Sequence, residues 1–102
     1  MIAYGGCPIL NTAAEADDTH KALSAMAMQA VLKLKQFLID LVLQGMAAEE
    51  IRPDADAEKF SETTLALIEG GLMLAKLTGE KAYLSNALDQ VSENIRRLAV
   101  AA

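Results

Sequence analysis

The sequence predicts an all-α protein, and its composition carries that prediction. The chain has 102 residues, enough for one domain. Nineteen Ala and fifteen Leu residues make up a third of it, whereas Val, Ile and Thr together supply only fifteen. Ala and Leu favour helices and β-branched residues favour strands, so helices are expected throughout. The hydrophobic fraction of 53% exceeds the ~45–50% of ordinary domains, which indicates apolar surface available for a partner.

Capping and helix-breaking residues predict four helices, of which the first is short and the second long. Pro8 suits the first turn of a helix over 8–16, because its missing N–H is not needed there. The second helix covers 19–48 without an internal proline. Apolar residues cover most of its circumference, so we expect it to pack against neighbours on more than one side.

The third and fourth helices follow a break at Pro53. Asp56 is a suitable N-cap for a helix over 57–78, and Gly79 can adopt the left-handed conformation that ends it. The fourth helix, over 81–100, is amphipathic, with apolar residues at three- and four-residue intervals on one face.

Charge and the length of the apolar runs exclude several partners. Nine Lys and Arg against fourteen Asp and Glu give a net charge of −5. The adjacent Arg96 and Arg97 are too few to form the basic surface that nucleic acid requires. The longest apolar stretch, over 65–77, is too short and too charged to cross a bilayer. No signal peptide is visible, and the single cysteine, Cys7, suits a reducing compartment, so we expect a cytoplasmic protein.

No set of residues suits catalysis or metal binding. His20 is the only histidine and is expected to be solvated. Cys7 therefore has no histidine to activate its thiol as a nucleophile. A small helical enzyme that holds a dicarboxylate would need several Arg and Lys inside an apolar bundle. In this chain Arg52 is in a loop, and Arg96 and Arg97 are near the C-terminus. We therefore expect no catalytic residue, no metal and no cofactor.

Two features of the third helix have alternative interpretations. Glu69 interrupts an apolar run, either as part of a solvent-facing stripe or as a buried carboxylate that orients a ligand or pairs across an interface. Gly70 and Gly71 each destabilise a helix interior by about 1 kcal/mol relative to Ala. Close approach of another helix would offset that cost, and a locally bent helix is the alternative.

Short motifs in a fixed order give the chain a family resemblance. They are GGCPILN (5–11), AEADD (14–18), EIRPDAD (50–56), LIEG (67–70) and ALD (87–89). In this order and spacing they resemble the C-terminal regulatory half of TetR-family transcriptional regulators. The resemblance covers nearly the whole chain, from about Gly5 to Leu98.

The resemblance implies a single regulatory domain over 1–102, an effector-binding and homodimerisation module of a repressor-type regulator. Its last two helices would form a four-helix bundle with a second copy of the chain, and its ligand would be a small hydrophobic effector. The apolar faces of these helices then predict an interface of Leu65, Ile68, Leu72, Leu84, Leu88, Val91 and Ile95. The effector would contact Asn11, Met26, Phe37, Leu41 and Met73.

The family's helix-turn-helix domain and the first helices of its regulatory domain have no counterpart in this sequence. We therefore expect a truncated regulator that contacts DNA only through a missing N-terminal domain, with one face of the helix over 19–48 left uncovered. The alternative is a helical interaction module with no ligand, which would form mixed dimers with a full-length regulator.

Overall fold

The structure, a computed structural model, describes residues 21–100 and contains three α-helices there. α1 spans Lys21–Ala47, α2 spans Ala57–Thr78 and α3 spans Ala82–Leu98. The prediction of an all-α chain is confirmed, because the described range holds one isolated β-bridge and no strand. The four predicted helices are not all observed, since the one over 8–16 lies outside the described residues.

The C-terminus of α1 turns back sharply on itself. Glu49 has a left-handed backbone conformation, with φ of 62°. The amide of Glu50 donates to the carbonyl of Gly45 at 2.9 Å, and the amide of Glu49 donates to that of Met46 at 3.0 Å. These two bonds form a Schellman motif, in which glycine usually occupies the left-handed position. Ile51 then folds over Gly45, where a Cβ atom would lie only 2.5 Å from the Ile51 Cδ1 atom.

α2 has both of the ends that its sequence predicts. The Asp56 side chain accepts a hydrogen bond from the Lys59 amide at 3.0 Å and so caps the N-terminus. Gly79 has φ of 74°, and its amide donates to the carbonyl of Ala75 at 2.9 Å. A left-handed glycine at this position satisfies a carbonyl that the helix would otherwise leave unpaired.

Backbone hydrogen bonds fasten the α1–α2 connection to the end of α3. The Arg52 amide donates to the carbonyl of Leu98 at 2.8 Å, and the Val100 amide donates to that of Glu50 at 3.2 Å. Ala99 is extended at this bridge, so α3 ends at Leu98 although the sequence predicts a helix to residue 100. The connection therefore fixes the end of α1 beside the end of α3.

α2 is the central helix, because it packs against both α3 and α1, and most extensively against α3. The Lys35 ammonium and the Glu62 carboxylate join α1 to α2 at 2.7 Å, and their hydrogen bond raises the pKa of Lys35. The Cα atoms span 50 × 32 × 13 Å, so the arrangement is thin and encloses few side chains. The buried ones among the described residues are Ala27, Val42, Ser61, Thr64, Ala87 and Val91.

None of the helices within 21–100 combines the length and the apolar character that a membrane span requires.

Candidate functional site

A shallow groove runs along one side of the α2–α3 pair, and we name it the outer groove. Its volume is about 430 Å³. No residue of α1 lines it, so it lies on the side of the pair that α1 leaves free. The lining residues carry no charge, and they are Ala66, Leu67, Gly70, Gly71 and Leu74 of α2 with Tyr83, Asn86, Ala87 and Gln90 of α3.

The two adjacent glycines of α2 have different surroundings. A Cβ atom on Gly71 would lie 2.9 Å from the Ala87 Cβ atom and 3.2 Å from the Leu84 Cα atom. A Cβ atom on Gly70 would meet nothing within 4 Å in the described part of the chain. Close approach of a second helix therefore accounts for Gly71 within this chain, whereas Gly70 has no such partner there.

A second cavity lies where the three helices meet, and we name it the inner cavity. Its volume is about 270 Å³. All of its lining side chains are apolar apart from Thr64, whose hydroxyl is buried with no hydrogen-bond partner among the described residues. The lining residues are Leu38, Leu41 and Val42 of α1, Ile51 of the connection, Phe60 and Thr64 of α2, and Val91, Ile95 and Leu98 at or near the end of α3.

The structure does not bring the seven predicted interface residues to one exposed surface. Val91 is buried, whereas Leu88 and Ile95 are 45% and 52% exposed. Val91 and Ile95 line the inner cavity, on the side of α3 that meets α1. The remaining four residues are half-buried, and they are Leu65, Ile68, Leu72 and Leu84. None of the seven lines the outer groove.

The predicted effector residues are similarly divided. Leu41 lines the inner cavity. Met26 and Phe37 are 66% and 58% exposed on α1 and line none of the cavities described here. Met73 of α2 is half-buried, and Asn11 lies outside the described residues.

Sequence reasoning missed several residues that line the inner cavity. Phe60 and Thr64 share one face of α2 with Gly71, and that periodicity is visible in the sequence. The pattern identifies an apolar face, but it does not distinguish a filled helix contact from a cavity wall. Ile51 carries no periodic signal because it is in a connection, and only the fold brings it to Leu98.

Three charged side chains near the end of α3 pair with one another. Arg96 contacts the Glu93 carboxylate at 2.6 Å, and Arg97 contacts the same carboxylate at 3.6 Å. The hydrogen bond from Arg96, with the charges of both arginines, lowers the pKa of Glu93. Glu69 is half-buried, with one carboxylate oxygen that has no partner among the described residues. Residues 21–100 contain no group of side chains that could hold a metal ion.

A helix pair with an uncharged outer groove, crossed on its other side by a long helix, defines the described part of the chain as an all-α helical module. Comparison with known proteins then gives the family. Residues 2–91 match the family described as "Tetracyclin repressor-like, C-terminal domain". The chain belongs to this family, and it corresponds to the C-terminal domain of TetR-family transcriptional regulators.

Two solved structures are similar to the chain over nearly its full length. One is a TetR-family transcriptional regulator from Cytophaga hutchinsonii, with 38% identity, a TM-score of 0.90, and coverage of 96% of this chain and 49% of that one. The other is a TetR transcriptional regulator from Chloroflexus aurantiacus J-10-FL, with 35% identity, a TM-score of 0.87, and coverage of 96% and 50%. The chain thus spans about half the length of these relatives. No curated protein matches it.

The close contact at Gly71 gives a prediction for stability. We expect Gly71→Ala to destabilise the fold by about 1–3 kcal/mol, because the new methyl group overpacks a contact with Ala87 that cannot move apart easily. The double variant Gly71→Ala/Ala87→Gly removes the opposing methyl group. It should therefore lose less stability than the sum of the two single changes. Urea unfolding followed by circular dichroism measures all three variants, and strictly additive losses would contradict the contact.

Proposed function

We propose that this chain is the effector-binding and homodimerisation module of a TetR-family transcriptional regulator of the repressor type. The observation that carries the proposal is the α2–α3 pair, which is packed tightly within the chain and has an uncharged groove on its free side. Two such pairs related by a two-fold axis would form a four-helix bundle. The last two helices would therefore be the dimerisation element.

The effector part of the proposal rests on the inner cavity. Apolar walls with a single hydroxyl suit a small, uncharged and mainly hydrophobic ligand. At about 270 Å³, the cavity is slightly below the ~300–1,000 Å³ of ordinary ligand pockets, which restricts the ligand to a small one. Leu41 is the predicted effector residue that lines this cavity. Asn11, Met26, Phe37 and Met73 remain proposed contacts from the sequence.

The proposal assigns DNA reading to another part of the regulator. The sequence has a net charge of −5, and both arginines of α3 contact the Glu93 carboxylate. A chain with this net negative charge is repelled by the phosphate backbone, so the module by itself is not expected to hold DNA. In this proposal the module acts in the cytoplasm and has a regulatory rather than a catalytic role.

Sedimentation equilibrium tests the dimerisation part. At tens of micromolar we expect a species of twice the chain mass of 10.9 kDa, because the free face of the α2–α3 pair would be covered by a second copy. Dilution should shift the equilibrium to the monomer, since mass action governs the assembly. A monomer throughout this range would refute the proposed homodimer.

Methyl NMR tests the effector part with benzyl alcohol, a small uncharged probe that has an apolar ring and one hydroxyl. We expect saturable shifts at the methyl groups of Leu41, Val42 and Val91, which line the inner cavity. The methyl groups of Leu77 and Val100 are exposed elsewhere and serve as internal controls.

Two other results would count against this assignment. Shifts confined to Met26 and Met28 would move the ligand site to the exposed side of α1. No shift at any methyl group, together with co-purification of a DNA-binding relative, would favour the interaction module that forms mixed dimers without a ligand.

A further inference from the structure

We propose that a third cavity, which we name the basic cleft, is a separate ligand site and binds a small organic carboxylate. The proposal goes beyond the effector site of the inner cavity and does not depend on it. The basic cleft has a volume of about 400 Å³ and shares no residue with the outer groove. Its lining residues are Arg52 and Asp56 of the α1–α2 connection, Lys59, Phe60 and Thr63 of α2, and Asn94, Arg97 and Leu98 of α3.

The first argument is the convergence of positive charge. Arg52, Lys59 and Arg97 belong to three separate segments, and only the fold brings them to one cleft. The Arg52 amide donates to the carbonyl of Leu98 at 2.8 Å, which holds the connection beside the end of α3. Asp56 is the one acidic residue of the lining, and its carboxylate already caps α2 by accepting from the Lys59 amide. Three cations around one carboxylate favour an anionic ligand.

The second argument is that the two guanidinium groups keep donors for a ligand. The Glu93 carboxylate is close to Arg96, at 2.6 Å, and farther from the Nε atom of Arg97, at 3.6 Å. The Nε atom of Arg52 is 3.9 Å from the Asp54 carboxylate. Both of the longer distances exceed that of a hydrogen bond. Arg52 and Arg97 can therefore still donate to a carboxylate, which matches the planar fork of a guanidinium group.

The rest of the lining determines the kind of anion. Phe60 and Leu98 are half-buried and give the basic cleft an apolar wall, which it shares with the inner cavity. The side-chain oxygen of Asn94 accepts from Gln90 at 2.8 Å, so the Asn94 NH2 group remains a donor. The volume falls within the ~300–1,000 Å³ of small-molecule pockets. A carboxylate on an apolar ring or short chain would use both surfaces, whereas inorganic phosphate would leave the apolar wall uncovered.

Methyl NMR with benzoate tests the proposal, because benzoate differs from benzyl alcohol mainly in its charge. Thr63 lines the basic cleft and not the inner cavity, and Val42 lines the inner cavity and not the basic cleft. Their methyl groups therefore report on the two sites separately. We expect benzoate to shift the Thr63 signal saturably, benzyl alcohol to leave it unchanged, and inorganic phosphate to bind about tenfold more weakly than benzoate. Higher ionic strength should weaken benzoate binding, since salt screens exposed charges.

Two adjacent arginines supply a matched comparison. Arg96 and Arg97 both contact Glu93 and are 68% and 70% exposed, but only Arg97 lines the basic cleft. We expect Arg97→Gln to raise the benzoate Kd about tenfold, because it removes a charge-assisted hydrogen bond, and Arg96→Gln to change it by less than about threefold. Lys59→Gln should resemble Arg97→Gln, since it removes a cation that has no ion-pair partner among the described residues.

Several results would overturn the proposal. Equal losses in Arg96→Gln and Arg97→Gln would mean that binding follows the overall charge and not the cleft. Benzoate shifts at Val42 without any at Thr63, or no saturable shift at Thr63, would also contradict it. Phosphate binding as tight as that of benzoate would exclude an organic carboxylate as the preferred class. Thr63 shifts with benzoate, but no Val42 shifts with benzyl alcohol, would support the basic cleft while contradicting the effector site.

Discussion

The close approach of α2 and α3 at Gly71 is the contact on which the other features depend. With Ala87 directly opposite, the two backbones come nearer than larger side chains would allow. The pair therefore behaves as one unit, with a groove on one side and a surface for α1 on the other. Both candidate binding regions follow from this geometry, because the outer groove and the inner cavity share the α2–α3 pair as a wall.

The position of α1 depends on a second constraint, at the opposite end of the molecule. The Schellman turn at Glu49 and the contact of Ile51 with Gly45 direct the chain toward α3. Backbone hydrogen bonds then fasten this connection to the end of α3, so that Ile51 and Leu98 become part of one cavity wall. The inner cavity is thus formed by a connection as well as by helices, which explains why helical periodicity alone does not reveal it.

Local sequence signals predict the helices well and their contacts less well. Asp56 and Gly79 bound α2 correctly because capping is a property of a few neighbouring residues. Val91 and Ile95 illustrate the limit. Their spacing identifies an apolar face, but the same spacing suits burial against α1 and burial against a second chain. The sequence cannot distinguish the roles of Gly70 and Gly71 for the same reason. Only the structure shows that Ala87 lies against Gly71 and not against Gly70.

Whether two copies meet through the free face of the α2–α3 pair can be tested by electron–electron distance measurement between spin labels. Labels are attached to cysteines at Thr63, which lies one turn before Leu67 on the groove side of α2, or at Ile95 on the α1 side of α3. Cys7, the only native cysteine, is replaced by serine. We expect a shorter distance between the two labels at position 63 than between the two at position 95. A shorter distance between the labels at position 95 would contradict it.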